Sequence, residues 1–318
     1  MSASRILTLS LYALLVSCIS AIGCSFREET VDDETQRHID EIVEKAVAEI
    51  QAAELEDSKK SFSECIERNE AGAVMGAYCN GTIVTPGDLR SFGKDNPVRL
   101  WLRKCRVTDD LISTCADLKS LDELCLWGSD VTDSQMKFIL RMSNLKKLDL
   151  RYTAISDDGL LSIGRMNQLV SLDLSGTDVT SQGMNSLRGL KKLKELSLDK
   201  TQVDDAGMAA ISSLNSLEKL SLEDGSISNR GLEHIGHLSE LKLLSIHNME
   251  TVNEDGLRHL EGLKELETLY LCVPVTAKGV SSLKKMTGLK HLYMGDVTSD
   301  TPFNNERLML ELPSVGVY

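Results

Sequence analysis

The chain has 318 residues, 42% of them apolar, and a formal net charge of −13 at pH 7. That length allows one elongated domain or two compact ones, and the apolar share is enough to bury a large core. The acidic balance argues against nucleic acid as a partner, because neutralising a polyphosphate calls for a basic face.

Residues 1–23 read as an export signal. The stretch MSASRILTLSLYALLVSCISAIGC carries one charge, Arg5, then an uncharged and mostly apolar run from Ile6 to Ile22, with small residues ahead of Cys24. Its AIGC ending resembles a bacterial lipobox, whose signal is cut before a cysteine that then carries lipid; Ala21 stands where that motif usually has Leu. The resemblance implies lipid attachment at Cys24 and an exported protein of the bacterial cell envelope that meets the membrane only through its anchor. Cleavage after Gly23 to give a soluble secreted or periplasmic protein, and an uncleaved anchor, are the other two readings.

Residues 24–60 form a tether and an acidic amphipathic helix. Positions 25–60 hold twelve acids and five bases, a balance of −7. Ile39, Val43, Ala46, Ile50 and Ala53 fall at spacings of 4, 3, 4 and 3, a heptad stripe of about two repeats. Such a stripe suits packing on the following domain, or self-association into an oligomer. Residues 61–96, rich in Gly, Asn and Pro, read as an N-terminal cap. There Cys65 and Cys79 are a candidate disulfide, since a small irregular unit gains most from a bridge in an oxidising compartment.

From Pro97 the chain repeats itself in steps of 24, restarting at Leu121, Leu145, Leu169, Leu193, Leu217 and Leu241; one insertion moves the next start to Leu266 and one deletion the last to Leu289. The unit is L-x-x-L-x-L-x-x-(T/C)-x-(V/I)-(S/T/D)-x-x-G-(L/M)-x-x-(I/L)-x-x-(L/M), with eight full copies and a partial ninth over 97–301. A fixed period in the twenties with this pattern is a leucine-rich repeat. Leu148 and Leu150 alternate with Lys147 and Asp149, as in a strand with one dry and one wet side. Thr153, Thr177 and Thr201, with Cys105 in the first copy, sit where an inward side chain can bond the turn backbone. Ser156, Thr180, Asp204 and Ser228 are helix-capping types, and glycines follow three residues later, at 159, 183, 207 and 231, where close packing is expected. Leu160, Ile163 and Met166 give the helix its inward stripe. The prediction is an α/β solenoid, a right-handed horseshoe with parallel strands on the concave face and short helices on the convex face. One copy alone cannot bury its own apolar face, but stacked copies can.

At these residues the chain resembles the cysteine-containing class of leucine-rich repeats known from F-box proteins, and more closely the bacterial, planctomycete-type repeats that read L-S-G-T-x-V-T-D-x-G-L. The ending LMLELPSVGVY is similar to the C-terminal cap of many such arrays, here 302–318. The resemblance implies a curved solenoid that binds a protein partner on its concave face. The ligase role of F-box proteins does not carry over, since no F-box-like segment precedes the repeats.

Function should show at the outward strand positions, because the inward ones are committed to packing. Five of the eight Trp and Tyr residues fall there: Trp101, Trp127, Tyr152, Tyr270 and Tyr293. One candidate cluster, over copies one to three, joins Trp101, Trp127 and Tyr152 to Arg99, Arg103, Lys104, Lys146, Lys147 and Arg151. Arg, Trp and Tyr are the types most enriched at interaction hot spots. A second, at the far end, holds Tyr270, Tyr293 and His291. Between them Asp173, Asp199, Glu223 and Asp224 make an acidic middle, a polarity that suits a ligand with its anionic end on copies one to three. On this reading Trp127→Ala and Arg151→Ala abolish partner capture and leave folding intact.

Catalytic signals are weak. There is no phosphate-cradling Gly loop and no Gly-x-Ser-x-Gly elbow, and EHIGH at 233–237 lacks the His-Glu-x-x-His order of a zinc protease. Asp149 and Asp173, flanked by Lys147 and Arg151, read as a charge ladder and not as a catalytic pair. No catalytic residue, metal or cofactor is expected. Cys105 and Cys115 read as core, and Cys125 and Cys272 as free thiols on the outward register. The leading function is a non-catalytic protein-binding module. An envelope scaffold self-associating through 33–56, and a substrate dock for an enzyme system, are the alternatives.

Overall fold

In a computed structural model the chain is described at Lys45 and over residues 60–92, 95, 97–247, 249, 251–271, 273, 275–294 and 305–318. The signal segment, Cys24, the heptad stripe and Cys272 lie outside these residues. Twelve strands form one sheet in strict chain order. A cap hairpin comes first, with β1 (Ile66–Arg68) antiparallel to β2 (Val74–Asn80). Every later neighbour is parallel: β3 (Arg99–Arg103), β4 (Glu123–Cys125), β5 (Lys147–Asp149), β6 (Ser171–Asp173), β7 (Glu195–Ser197), β8 (Lys219–Ser221), β9 (Leu243–Ile246), β10 (Thr268–Leu271), β11 (His291–Met294) and β12 (Gly316–Val317).

The 24-residue period fixes the register. Leu100, Leu124, Leu148, Leu172, Leu196, Leu220 and Leu244 are paired side by side and buried. The strands themselves are short, but the ladder continues around the corner: Leu150 N–H donates to the Asp173 carbonyl at 2.9 Å and Tyr152 N–H to that of Ser175 at 2.9 Å. In copies one to six the corner turns through a left-handed residue, at Lys104, Gly128, Tyr152, Gly176, Lys200 and Asp224. Glycine takes that conformation freely, and an L side chain there carries a modest cost. The inward hydroxyls predicted at the turn are present and bonded: Thr153 Oγ1 donates to the Leu150 carbonyl at 2.6 Å, Thr177 to Leu174 at 2.5 Å and Thr201 to Leu198 at 2.7 Å.

The far side carries short helices, such as Asp157–Ile163, Asp205–Ile211 and Asn229–Ile235, and in some copies looser 3-10 turns such as Gly183–Gly189 and Glu254–Leu260. Their caps are bound both within and between copies. Thr180 Oγ1 accepts from Gln182 N–H at 3.2 Å, while Asp157 of the preceding copy accepts from both Thr180 N–H (2.8 Å) and Thr180 Oγ1 (2.7 Å). The same bridge recurs as Asp133 to Ser156, Asp205 to Ser228 and Glu254 to Thr276. It accounts for three of the four glycines, while at Gly207 the space is taken by Val203 and the Ser181 hydroxyl. A methyl on Gly159 would fall on Asp133 Oδ1, one on Gly183 on Asp157 Oδ1 and one on Gly231 on Asp205 Oδ1. Only the smallest residue leaves room for the carboxylate that reaches across from the copy before it.

Candidate functional site

The outward face of the sheet is one continuous row at its middle position: Tyr78, Trp101, Cys125, Asp149, Asp173, Ser197, Ser221, Ser245, Tyr270 and Tyr293 stand side by side on successive strands. Strands sit about 4.8 Å apart, so the larger of these side chains crowd their neighbours. That crowding decides which residues remain open.

At the N-terminal end Trp101 is wedged edge-on against Tyr78 of the cap (centroids 4.9 Å, 73°), and its Nε1 donates to Glu123 Oε1 at 2.7 Å. Arg99 is paired with Glu123 at 3.8 Å and Lys146 with Asp122 at 3.4 Å. Trp127 does not stand open as its register predicts. It is 8% exposed, covered by the Arg103 guanidinium at 4.2 Å and the Lys104 ammonium at 4.9 Å from its ring centroid. Each cation gains from the ring face while shielding it. Tyr152 lies edge-on to Trp127 at 6.4 Å and is 51% exposed, projecting from a left-handed corner with its ring against Gly176. Lys147 is exposed and makes no ion pair among the described residues.

Cys125 is also buried, not on open register. Its Sγ donates to Asp149 Oδ2 at 3.1 Å, and burial together with that carboxylate pushes the thiol well up from its ordinary pKa. Arg151 bridges two strands. It donates from Nε (3.0 Å) and Nη2 (2.6 Å) to Asp149, and its Nε lies 3.3 Å from Asp173 Oδ2. Burial opposes ionisation of Asp149, but the two-pronged Arg151 contact outweighs it and holds the carboxyl below its usual range. Asp173 has the poorer share of the guanidinium, and burial pushes it up to about 6. The solvated ladder expected of these residues is instead a largely covered cluster of Arg151, Asp149 and Asp173, in which Lys147 takes no part.

The acidic middle follows the same rule. Ser221 Oγ donates to Asp199 at 2.6 Å and Ser245 Oγ to Glu223 at 2.8 Å, while burial, with Glu223 and Asp224 nearby, pushes Asp199 up to about 6. Over β6–β9 the small serines leave a shallow hollow of 220 Å³ between Asp173, Glu195 and Lys219. At the C-terminal end Tyr270 and Tyr293 stack at 4.4 Å and 9°, and Tyr318 extends the stack at 4.8 Å and 19°. His291 is exposed beside them, 6.1 Å from Tyr318. Sequence reasoning missed Tyr78, Glu123 and Tyr318. The register of the last strand, which pairs Leu292 with Val317, places Tyr318 beside Tyr293 and was the available signal.

In the cap, Cys65 and Cys79 are two buried thiols in contact, and hydrogen bonding to Cys65 together with burial raises the Cys79 thiol far above its usual range. Cys105 and Cys115 are buried in the repeats, as their register predicts. Among the described residues no cluster of His, Cys, Asp or Glu is arranged to hold a metal ion, and no helix is long and apolar enough to cross a membrane.

Asp173 and Asp199 make stability depend on pH. Both have folded pKa values of about 6, above the ordinary carboxylate value of 3.8. Between those limits the folded chain holds protons that the unfolded chain has released, so stability rises as pH falls from 7.5 towards 5. The expected gain is about 1 kcal/mol per carboxylate after allowance for partial exposure. Urea melts of wild type and Asp199→Asn test this: the variant should lose part of the pH slope, and a wild-type slope of zero or opposite sign would refute the assignment.

A solenoid of stacked strand-and-helix copies whose outward strand face carries the open polar and aromatic side chains is the architecture of a binding surface. The family model for the leucine-rich repeat region matches residues 108–312, and the chain belongs to that family. Repeat arrays of this kind generally serve as protein-interaction modules. Among solved structures the chain is similar to internalin C2 of Listeria monocytogenes, at 22% identity over 74% of this chain and 84% of that one, with a TM-score of 0.47. It is also similar to an internalin (inlF) of the same organism, at 16% identity over 74% and 88%, with a TM-score of 0.46. No curated protein matches the chain.

Proposed function

We propose that this protein is a non-catalytic binding module of the bacterial cell envelope, held by lipid at Cys24, that captures a protein partner on the concave strand face of copies one to three. The observation that carries this reading is Tyr152. A half-exposed aromatic ring on a left-handed corner costs free energy twice, once in backbone strain and once in wet apolar surface. Beside it lie the Arg103 and Lys104 charges, poised over Trp127, and the exposed Lys147. This group suits an acidic, partly apolar segment of a partner. Arg99, Trp101, Trp127 and Arg151 belong to the same stretch of the face, each already paired with a neighbour. Tyr270 and Tyr293 give the partner a second, aromatic foothold.

The test is capture from envelope extracts by wild type, by Tyr152→Ala/Lys147→Ala and by Leu161→Ala, a control on the helix side where Leu161 is 62% exposed. A protein held by wild type and control should be retained at least about tenfold less by the double variant, the weight of a hot-spot pair. Equal retention by all three would remove copies one to three from the binding site. Metabolic labelling with a palmitate analogue, lost in Cys24→Ala, tests the anchor separately.

A further inference from the structure

The cap brings together two cysteines that the sequence keeps fourteen residues apart. Cys65 closes the 3-10 turn Phe62–Cys65, and Cys79 lies near the end of β2. Ile66 pairs with Ala77, which sets Cys65, one residue outside β1, across from Tyr78 and so diagonal to Cys79. They are 7% and 1% exposed and are free thiols of one hydrophobic core, with Cys65 Sγ 3.5 Å from the Ser61 carbonyl and 3.8 Å from Thr82 Oγ1. Cys105 is close by but turns its Sγ to the Arg103 carbonyl at 3.3 Å, and Cys125 is bound to Asp149.

We propose that Cys65 and Cys79 form a disulfide that latches β1 onto β2 and so fixes the N-terminal end of the binding face. Two buried thiols on diagonal positions of one hairpin meet the short reach that a disulfide demands. The oxidant is a second disulfide, of glutathione or of a thiol–disulfide oxidoreductase. One cysteine thiolate attacks it, forms a mixed disulfide and expels the first donor thiol. The other cysteine then attacks its partner's sulfur and expels the second. The chain loses two electrons and two protons, and the donor disulfide becomes two thiols. Closure of the cap buries both sulfurs, so exchange takes place while the cap is still open, and the closed latch resists reduction. The latch bears on function because β2 carries Tyr78, which holds Trp101 edge-on and donates from its hydroxyl to Glu67 at 2.8 Å.

The experiment uses the full chain, refolded in glutathione buffers of graded ratio, alkylated under denaturing conditions and mapped by mass spectrometry. The expected product in oxidised buffer is lighter by two hydrogens, with residues 65 and 79 in one linked peptide pair and Cys105, Cys115 and Cys125 alkylated. Reductant applied during refolding should lower the melting temperature of wild type by about 5–10 °C, the scale for closing a loop of this size. It should leave Cys65→Ala/Cys79→Ala unmoved. No linkage at the most oxidising ratio, or linkage of either cysteine to Cys105, overturns the proposal. Because the mapping is done on wild type, a double variant that fails to fold does not rescue it.

Discussion

Arg151→Ala should destabilise the chain by about 2 kcal/mol at pH 7, read by urea unfolding. Removing one member of a fully buried ion pair costs about 3–5 kcal/mol, and the 42% exposure of the Arg151 side chain discounts that figure. The loss comes from what remains. Asp149 and Asp173 stand opposite one another on β5 and β6, and without the guanidinium they face each other across a strand spacing with Cys125 as a donor to Asp149. Arg151→Lys should recover only part of the loss, since a single ammonium cannot supply the fork that Asp149 accepts. The penalty of Arg151→Ala should also shrink as pH falls, because Asp173, freed of the guanidinium that lowers its pKa, takes up a proton more readily than in wild type and the repulsion ends. A change under about 0.5 kcal/mol would show the bridge to be an ordinary surface pair. Arg151 and Trp127 are therefore poor choices for testing capture without touching the fold, contrary to what their register implies. Trp127 is buried beneath two cations, and its removal would open a cavity there.

Gly183→Ala should cost about 2–3 kcal/mol, more than the same change removes at most glycines, where alanine is tolerated or stabilising. The added methyl falls on Asp157 Oδ1, and moving that carboxylate strips Thr180 of two hydrogen bonds at once. Asp157→Ala in the same background provides the control. If the two changes act through one contact, the double variant should lose little more than either single variant, with a coupling of 1 kcal/mol or more in a double-mutant cycle. Additive losses would mean that Gly183 is needed for some other reason. Gly262, with open space where its Cβ would be, should accept alanine at little or no cost.

The architecture was legible in the sequence because it is carried by short-range pattern. A period of 24, an alternating leucine pair, a threonine at the turn and a cap three residues before a glycine are all local, and each proves to have the predicted bonding. The exposure of the strand face was less legible. Whether Trp127 or Cys125 stands open depends on residues 24 positions away, such as Arg103 lying over the indole or Asp149 accepting the thiol. Alternation gives the side of the sheet on which a residue lies. It does not give the height of its neighbours, and on a face with strands about 4.8 Å apart those neighbours decide. The reason for the repeated glycine was half visible: close packing follows from the pattern, but the carboxylate that fills the space comes from the copy before.

The bridge from Asp157 to Thr180 has a direction. In each such pair the acceptor belongs to the earlier copy and the amide it satisfies to the later one. If a later copy melts, the earlier carboxylate simply turns to water. If an earlier copy melts, the next helix start is left with a bare amide. The corner ladder runs the other way, with Leu150 and Tyr152 amides of one copy donating to carbonyls of the next, so successive copies hold one another in both directions and neither stands complete alone.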